Sequence, residues 1–280
     1  MRVLVALAAV LAVSIPSAGE DKLLFARLGD IKVAYTNHGR GPRAVVFIHG
    51  WTCDHTFWAR SVPAVSAKRR VIAVDLPGHG ASDKPETAYT LDLFARGVEA
   101  VLRETGVTKV VLAGHSMGTA VAAKVLQLFP ERVAGIIIVD GFLPQKPVDA
   151  AGRQKVLVPF KEDYAKTATN MINGMFVEAT SAELRREILS KMLATPRHVG
   201  LSAMERMAEI DGGAIKAPAV PALALMKKRP DRDEAFEGFL RGIFPKLDYQ
   251  AWDGAGHFLM MEQPERFNRE VLAFLDRNGL

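Results

Sequence analysis

The sequence predicts an open α/β sheet whose strands are mostly parallel, and three observations carry that prediction. Short runs rich in Val, Ile and Leu alternate with longer stretches of helical periodicity, the pattern of strands joined by right-handed crossovers. The inner runs are continuously apolar rather than alternating, which marks strands buried on both faces. Four of these runs also end alike, on a small or polar residue: His49-Gly50, Asp75, Gly114 and Asp140.

The elements can be justified in order. Residues 22–28 and 31–35 read as two strands joined at Gly29-Asp30, a hairpin signal. Strands are predicted at 44–48, 71–74, 110–113 and 135–139, each β-branched and apolar. Helical patterns lie between them near 57–66, 91–105 and 117–129, the last stopped by Pro130. Over 141–218 the alternation lapses and the sequence is helical in tone. Met171, Met175, Met192, Met204 and Met207 recur there at spacings that can share apolar faces. They fit either helix core or the underside of an insertion lining an adaptable apolar pocket. Strands at 222–226 and 247–251 and a closing helix near 263–277 complete the chain.

The chain has 280 residues, 49% hydrophobic and 24% charged, which excludes a disordered or fibrous protein and suffices for a sizeable core. The net charge is 36 − 31 = +5, but the basic residues are scattered among acids. With no basic arm or aromatic-interleaved patch, a nucleic-acid partner is not expected. Cys53 is alone, so an intramolecular disulfide and a cysteine-based zinc site are excluded. It is expected to be packed and inert.

Residues 1–19 differ from the rest. Met1-Arg2 supplies a positive end, residues 3–13 are uninterruptedly apolar, and Ser14-Ile15-Pro16-Ser17-Ala18-Gly19 is small and breaker-rich. This is the layout of a secretory signal peptide, and the run is shorter than the roughly 20 residues of a membrane-spanning helix. The expected organisation is a leader at 1–19 and one domain at 20–280, with the insertion at about 141–218. Export follows, to a periplasmic or secreted location, without stable membrane insertion after cleavage.

Chemistry enters at Gly114-His115-Ser116-Met117-Gly118, a Gly-x-Ser-x-Gly between a strand and a helix. A serine there sits on a strained turn at the carboxyl end of the sheet, with glycines where strand and helix nearly touch. The following helix directs backbone N–H groups toward a developing negative charge. A serine is a poor nucleophile without a base, and His257, in the small-residue loop Gly254-Ala255-Gly256-His257, is the candidate. His49 and His115 are expected to brace loops. The strand at 44–48 runs into His49-Gly50-Trp51, so the backbone N–H groups of Trp51 and Met117 are the expected oxyanion donors. The Trp51 side chain is either a pocket wall or packing.

These pieces, with Asp75-Leu76-Pro77-Gly78-His79-Gly80, resemble the α/β-hydrolase family in the family's order, across essentially all of residues 20–280. The resemblance implies an eight-stranded sheet with helices on both faces, a helical cap after the sixth strand, and a triad in the order serine, acid, histidine. It also makes Asp75 structural. For the acid, the family's usual place is the loop after the seventh strand, which offers Asp231 and Asp233 behind a Lys-Lys-Arg-Pro run. Other members use the end of the sixth strand, where Asp140 stands. An apolar strand end suits a buried acid better than a charged loop, so Asp140 is preferred and Asp231 is the alternative.

The expected activity is a serine hydrolase cleaving a carboxylic ester or related acyl bond through an acyl-enzyme, without metal or organic cofactor. Its substrate would be a small, apolar acyl compound. Carbon–carbon-bond hydrolases, aminopeptidase-like and cofactor-free haloperoxidase-like members keep the same serine, and a non-catalytic binding protein is a further alternative. Dehalogenases and epoxide hydrolases of this family carry an Asp nucleophile, against which Ser116 argues. The sequence leaves the oligomeric state open.

Overall fold

In the computed structural model, which describes residues 22–215, 219–231 and 233–280, eight strands form one sheet. The leader expected at 1–19 lies outside the described residues. The strands are β1 (Leu24–Leu28), β2 (Ile31–His38), β3 (Arg43–Ile48), β4 (Val71–Val74), β5 (Lys109–His115), β6 (Val133–Val139), β7 (Ala222–Lys227) and β8 (Leu247–Trp252). Their order is β1-β2-β4-β3-β5-β6-β7-β8, antiparallel at β1/β2 and β2/β4 and parallel elsewhere. The continuously apolar runs occupy the middle, where Val45–Ile48, Val71–Val74 and Ile136–Val139 are buried. Both faces are covered there, as the absence of alternation predicts.

The helices are α1 (Val62–Ser66), α2 (Leu91–Glu104), α3 (Met117–Leu128), α4 (Ala150–Glu162), α5 (Tyr164–Asn173), α6 (Ala182–Leu193), α7 (Arg197–Met207), α8 (Asp233–Ile243), α9 (Leu259–Glu262) and α10 (Pro264–Arg277). Helices α4–α7 lie between β6 and β7, where the insertion is expected. The side chains of Asp149, Asp163 and Ser181 accept N–H bonds from the first turns of α4, α5 and α6, each cap worth about 1 kcal/mol.

Two elements depart from the sequence reading. The helix expected near 57–66 is instead a 3-10 turn, His55–Trp58, followed by α1. Pro63 explains the break, because it has no N–H and cannot sit inside a helix, yet it fits the first turn of a new one. The second departure is α8, which fills the β7–β8 connection where a charged loop was expected. Among the described residues, no helix is long and apolar enough to cross a membrane.

Candidate active site

The strand order reverses between β3 and β5, so the connections on either side diverge and leave a crevice at their carboxyl ends. Five strands deliver chemistry to that edge. β3 ends at Ile48 before the Trp51 loop, β5 at the turn carrying Ser116, and β6 at Asp140. β7 leads to Arg229 and β8 to His257. Register brings the ends together: Ile48 pairs with Gly114, His115 with Val139, and Val139 with Leu225.

Ser116 has φ 52°, in the left-handed region, and stands at the N-cap position of α3. Its turn is held by backbone bonds from Ser116 N–H to Val139 C=O (3.0 Å) and from Phe142 N–H to Ser116 C=O (3.1 Å). The serine side chain makes no capping bond, so its hydroxyl and the Met117 amide at the start of the helix stay available to a ligand. Among the described residues the positive-φ non-glycines are Thr52, Ser116 and Asp140. All three flank this crevice, as expected where backbone strain is kept for function.

The two glycines of the turn are steric requirements. A Cβ on Gly118 would collide with the backbone carbonyls of Ile48 and His49, and one on Gly114 with the Gly118 carbonyl. Backbone cannot swing aside. Gly118→Ala is therefore expected to cost about 3 kcal/mol, lowering Tm by roughly 6–12 °C in scanning calorimetry. A wild-type Tm would show that the turn relaxes freely.

Asp140 is buried and lies one residue beyond β6, with its N–H bonded to Leu225 C=O (2.8 Å). Its Oδ2 accepts from His257 Nδ1 at 2.5 Å and from Arg229 Nη2 at 2.8 Å, and its Oδ1 from the Lys227 N–H at 3.2 Å. Burial alone would raise the carboxyl's pKa. The His257 hydrogen bond and charge, and then Arg229, outweigh burial and lower it to about 2. A carboxylate only accepts, so the proton between them sits on His257 Nδ1, and in the neutral imidazole Nε2 then keeps its lone pair.

The remaining candidates also find places. Gly50 packs against the Ser116 turn, where a Cβ would lie 3.1 Å from Ser116 Cβ. Neither Trp51 N–H nor Met117 N–H donates to an acceptor among the described residues. The Trp51 indole donates to Gly200 C=O of α7 (2.8 Å) and meets Phe160 edge-on, so the side chain packs beneath the cap rather than lining the cavity. His49 Nε2 accepts from Leu76 N–H (3.0 Å), and His115 Nε2 donates to His257 C=O (2.9 Å), so both brace loops. Asp75 accepts from His55 and from Ala81 N–H, holding its own turn.

Ser116, Asp140 and His257 line one cavity of about 740 Å³. Its apolar wall comes from Phe142, Leu143, Met171, Met175, Met226 and Phe236. The methionines therefore divide: Met171 and Met175 face the cavity, while Met192, Met204 and Met207 are core. Asp231 is exposed at the cavity's edge, and Asp233 accepts from Arg229 N–H (2.7 Å). Cys53 is buried and its thiol is pushed well up, chiefly by burial. Among the described residues no His, Cys, Asp or Glu cluster is arranged to hold a metal ion.

Arg229 and Phe236 are the site residues the sequence reading missed. The apolar residues Phe236, Phe239, Leu240 and Ile243, at helical spacing, are the signal that could have revealed α8. Nothing local marks Arg229, since its partner is 89 positions away.

Comparison with known proteins places this geometry among relatives. Residues 45–270 match the family model described as the alpha/beta hydrolase family. The 2-hydroxy-6-oxononadienedioate/2-hydroxy-6-oxononatrienedioate hydrolase of Burkholderia vietnamiensis is 31% identical over 266 residues, covering 89% of this chain and 92% of that protein. The dihydrolipoyllysine-residue acetyltransferase component of the acetoin cleaving system of Pseudomonas putida is 30% identical over 252 residues. That alignment takes in 86% of this chain but 65% of the relative's length. Among solved structures, a malate-bound thermophilic esterase from Thermogutta terrifontis superposes with a TM-score of 0.80 at 25% identity, covering 93% of this chain and 99% of that one.

Proposed function

The chain belongs to the alpha/beta hydrolase family, and from that premise we propose that it is a serine hydrolase cleaving a carboxylic ester or related acyl bond. One observation carries the reading: a buried carboxylate bonded to His257 Nδ1 in a cavity that Ser116 also lines. Ser116 Oγ attacks the acyl carbon while His257 Nε2 takes its proton. Asp140 fixes the tautomer and stabilises the imidazolium that forms. The Trp51 and Met117 N–H groups receive the oxyanion, an interaction worth about 3 kcal/mol per donor. His257 then protonates the leaving alkoxide, and water activated by the same imidazole releases the acid.

The cavity's charges favour an ester over the dicarboxylate named for the Burkholderia relative. Lys227 and Arg229 line the cavity together with Asp140, Asp231 and Asp233, and Arg229 is committed to Asp140. A dianion would find no excess of cations there. The apolar wall suits a compact acyl or alcohol group, and the volume lies within the range of small-molecule sites.

A substrate panel tests the proposal. The protein is expected to hydrolyse p-nitrophenyl esters of short and medium chains at least about tenfold faster, in kcat/KM, than emulsified long-chain triglyceride. Preference for triglyceride would overturn the substrate class. Faster cleavage of a 2-hydroxy-6-oxo-dienoate than of any ester would move the protein to carbon–carbon bond hydrolysis.

A further inference from the structure

The loop after β7 places a guanidinium on the acid of the site, a contact the proton relay above does not use. Arg229 Nη2 and His257 Nδ1 share a single oxygen, Asp140 Oδ2, at 2.8 and 2.5 Å. The Lys227 N–H occupies the other oxygen. Asp140 is thus held at three points, two of them from β7 and its loop. Its side chain is fully buried, whereas a quarter of Arg229 remains exposed.

We propose that Arg229 is a positioning residue that sets the acid limit of the reaction: by sharing the Asp140 charge, it keeps His257 unprotonated, and competent as a base, at lower pH than an unpaired carboxylate would. This inference rests on the serine-hydrolase reading above. The sign follows from what the carboxylate stabilises. A full negative charge beside the ring favours the imidazolium, the form that cannot take the Ser116 proton. A guanidinium on the same oxygen cancels part of that field and repels the imidazolium directly. Two groups bonded to one oxygen lie within about 5–6 Å of each other. With an effective dielectric near 20 and a discount for the exposed part of Arg229, their repulsion amounts to about one pH unit.

The other charges around His257 do not supply this effect. The His115 ring, on β5, stands 4.6 Å from the His257 ring, and burial first of all pushes its pKa down to about 3, so it is neutral. Asp233, at the start of α8, is tied to the Arg229 N–H, and Asp231 is exposed at the cavity edge. Lys227 gives Asp140 only its backbone N–H. Glu262 of α9 accepts from Gly256 N–H and the Thr180 hydroxyl. From the cap, the Met175 carbonyl, uncharged, accepts from the backbone N–H of His257.

The test compares R229M, R229Q and R229K with wild type, following fluorophosphonate labelling of Ser116 and kcat/KM for p-nitrophenyl acetate across the acid limb. In R229M and R229Q the limb is expected to move up by about one pH unit, while R229K stays within about 0.3 of wild type. R229Q keeps hydrogen-bond donors without the charge, so a wild-type limb in R229Q overturns the proposal. A limb displaced as far in R229K as in R229M also overturns it. If R229M does not fold, the comparison of R229Q with R229K decides alone. Labelling with an unmoved limb defeats only this inference, whereas no labelling even of wild type defeats the hydrolase reading beneath it.

Discussion

Replacing Ser116 by alanine is expected to lower kcat on the preferred ester by about 10⁵–10⁶-fold and to abolish fluorophosphonate labelling. The fall is chemical rather than structural. The hydroxyl makes no capping bond, and the turn is held by backbone groups of Ser116 that alanine keeps. Alanine also has the same difficulty as serine at φ 52°, so the variant's stability should stay within about 0.5 kcal/mol of wild type. A residual rate above water is expected, because the Trp51 and Met117 amides remain in place. No second nucleophile can take over at Cys53, which is buried with its thiol pushed up. Undiminished labelling of the Ser116→Ala protein, or activity within about tenfold of wild type, would end the nucleophile assignment.

The parts of this site legible in the sequence are those fixed by local constraints. A Gly-x-Ser-x-Gly between an apolar run and a helix can be read directly, because each glycine keeps a side chain out of a tight backbone contact, Gly114 against the Gly118 carbonyl and Gly118 against the carbonyls of Ile48 and His49. His257 was legible for a related reason, as a loop of small residues between the last strand and the last helix must lie at the carboxyl edge of the sheet. The sequence prefers Asp140 but leaves Asp231 as the alternative, because two loops from neighbouring strands both offer acids. The β6–β7 pairing separates the two acids in the fold. It packs Val139 against Leu225, buries Asp140 beside His257, and leaves Asp231 exposed.

What was not legible depends on partners distant in the chain. The run Lys227-Lys228-Arg229-Pro230-Asp231 looks like a solvated loop, and four of its five residues carry charge. In the fold its first residue ends β7 and its third returns to the buried carboxylate. The same run hid α8, since charge and proline mask the start of an amphipathic helix whose apolar residues come later. The cap methionines could not be sorted by periodicity either. Met171 lies on α5, at the cavity, and Met204 on α7, in the core, and both sit at ordinary helical spacing. Which helix faces the cavity is set by packing.

Asp140→Asn is expected to reduce kcat by about 10³–10⁴-fold, while Asp231→Asn stays within about twofold of wild type. The amide must choose between two poor orientations. With its oxygen in the Oδ2 place it still accepts from His257 Nδ1 and Arg229 Nη2, but its NH₂ then faces the Lys227 N–H, donor against donor. Flipped, it sets that NH₂ against both His257 and Arg229. The first orientation wins and preserves the tautomer, so the lost rate measures mainly the missing charge under the imidazolium. Stability should report the same charge. The Asp140 carboxyl titrates at about 2 in the folded protein against roughly 4 in the unfolded chain. Its lowered pKa contributes roughly 2–3 kcal/mol, fully present above about pH 4 and lost as pH falls through about 2. The stability gap between wild type and Asp140→Asn should therefore narrow on acidification across that window. A gap that stays constant would mean that packing, not charge, was removed. If Asp231→Asn shows the large loss in kcat and Asp140→Asn does not, the acid of the relay is Asp231, and the buried Asp140–His257 contact serves the fold alone.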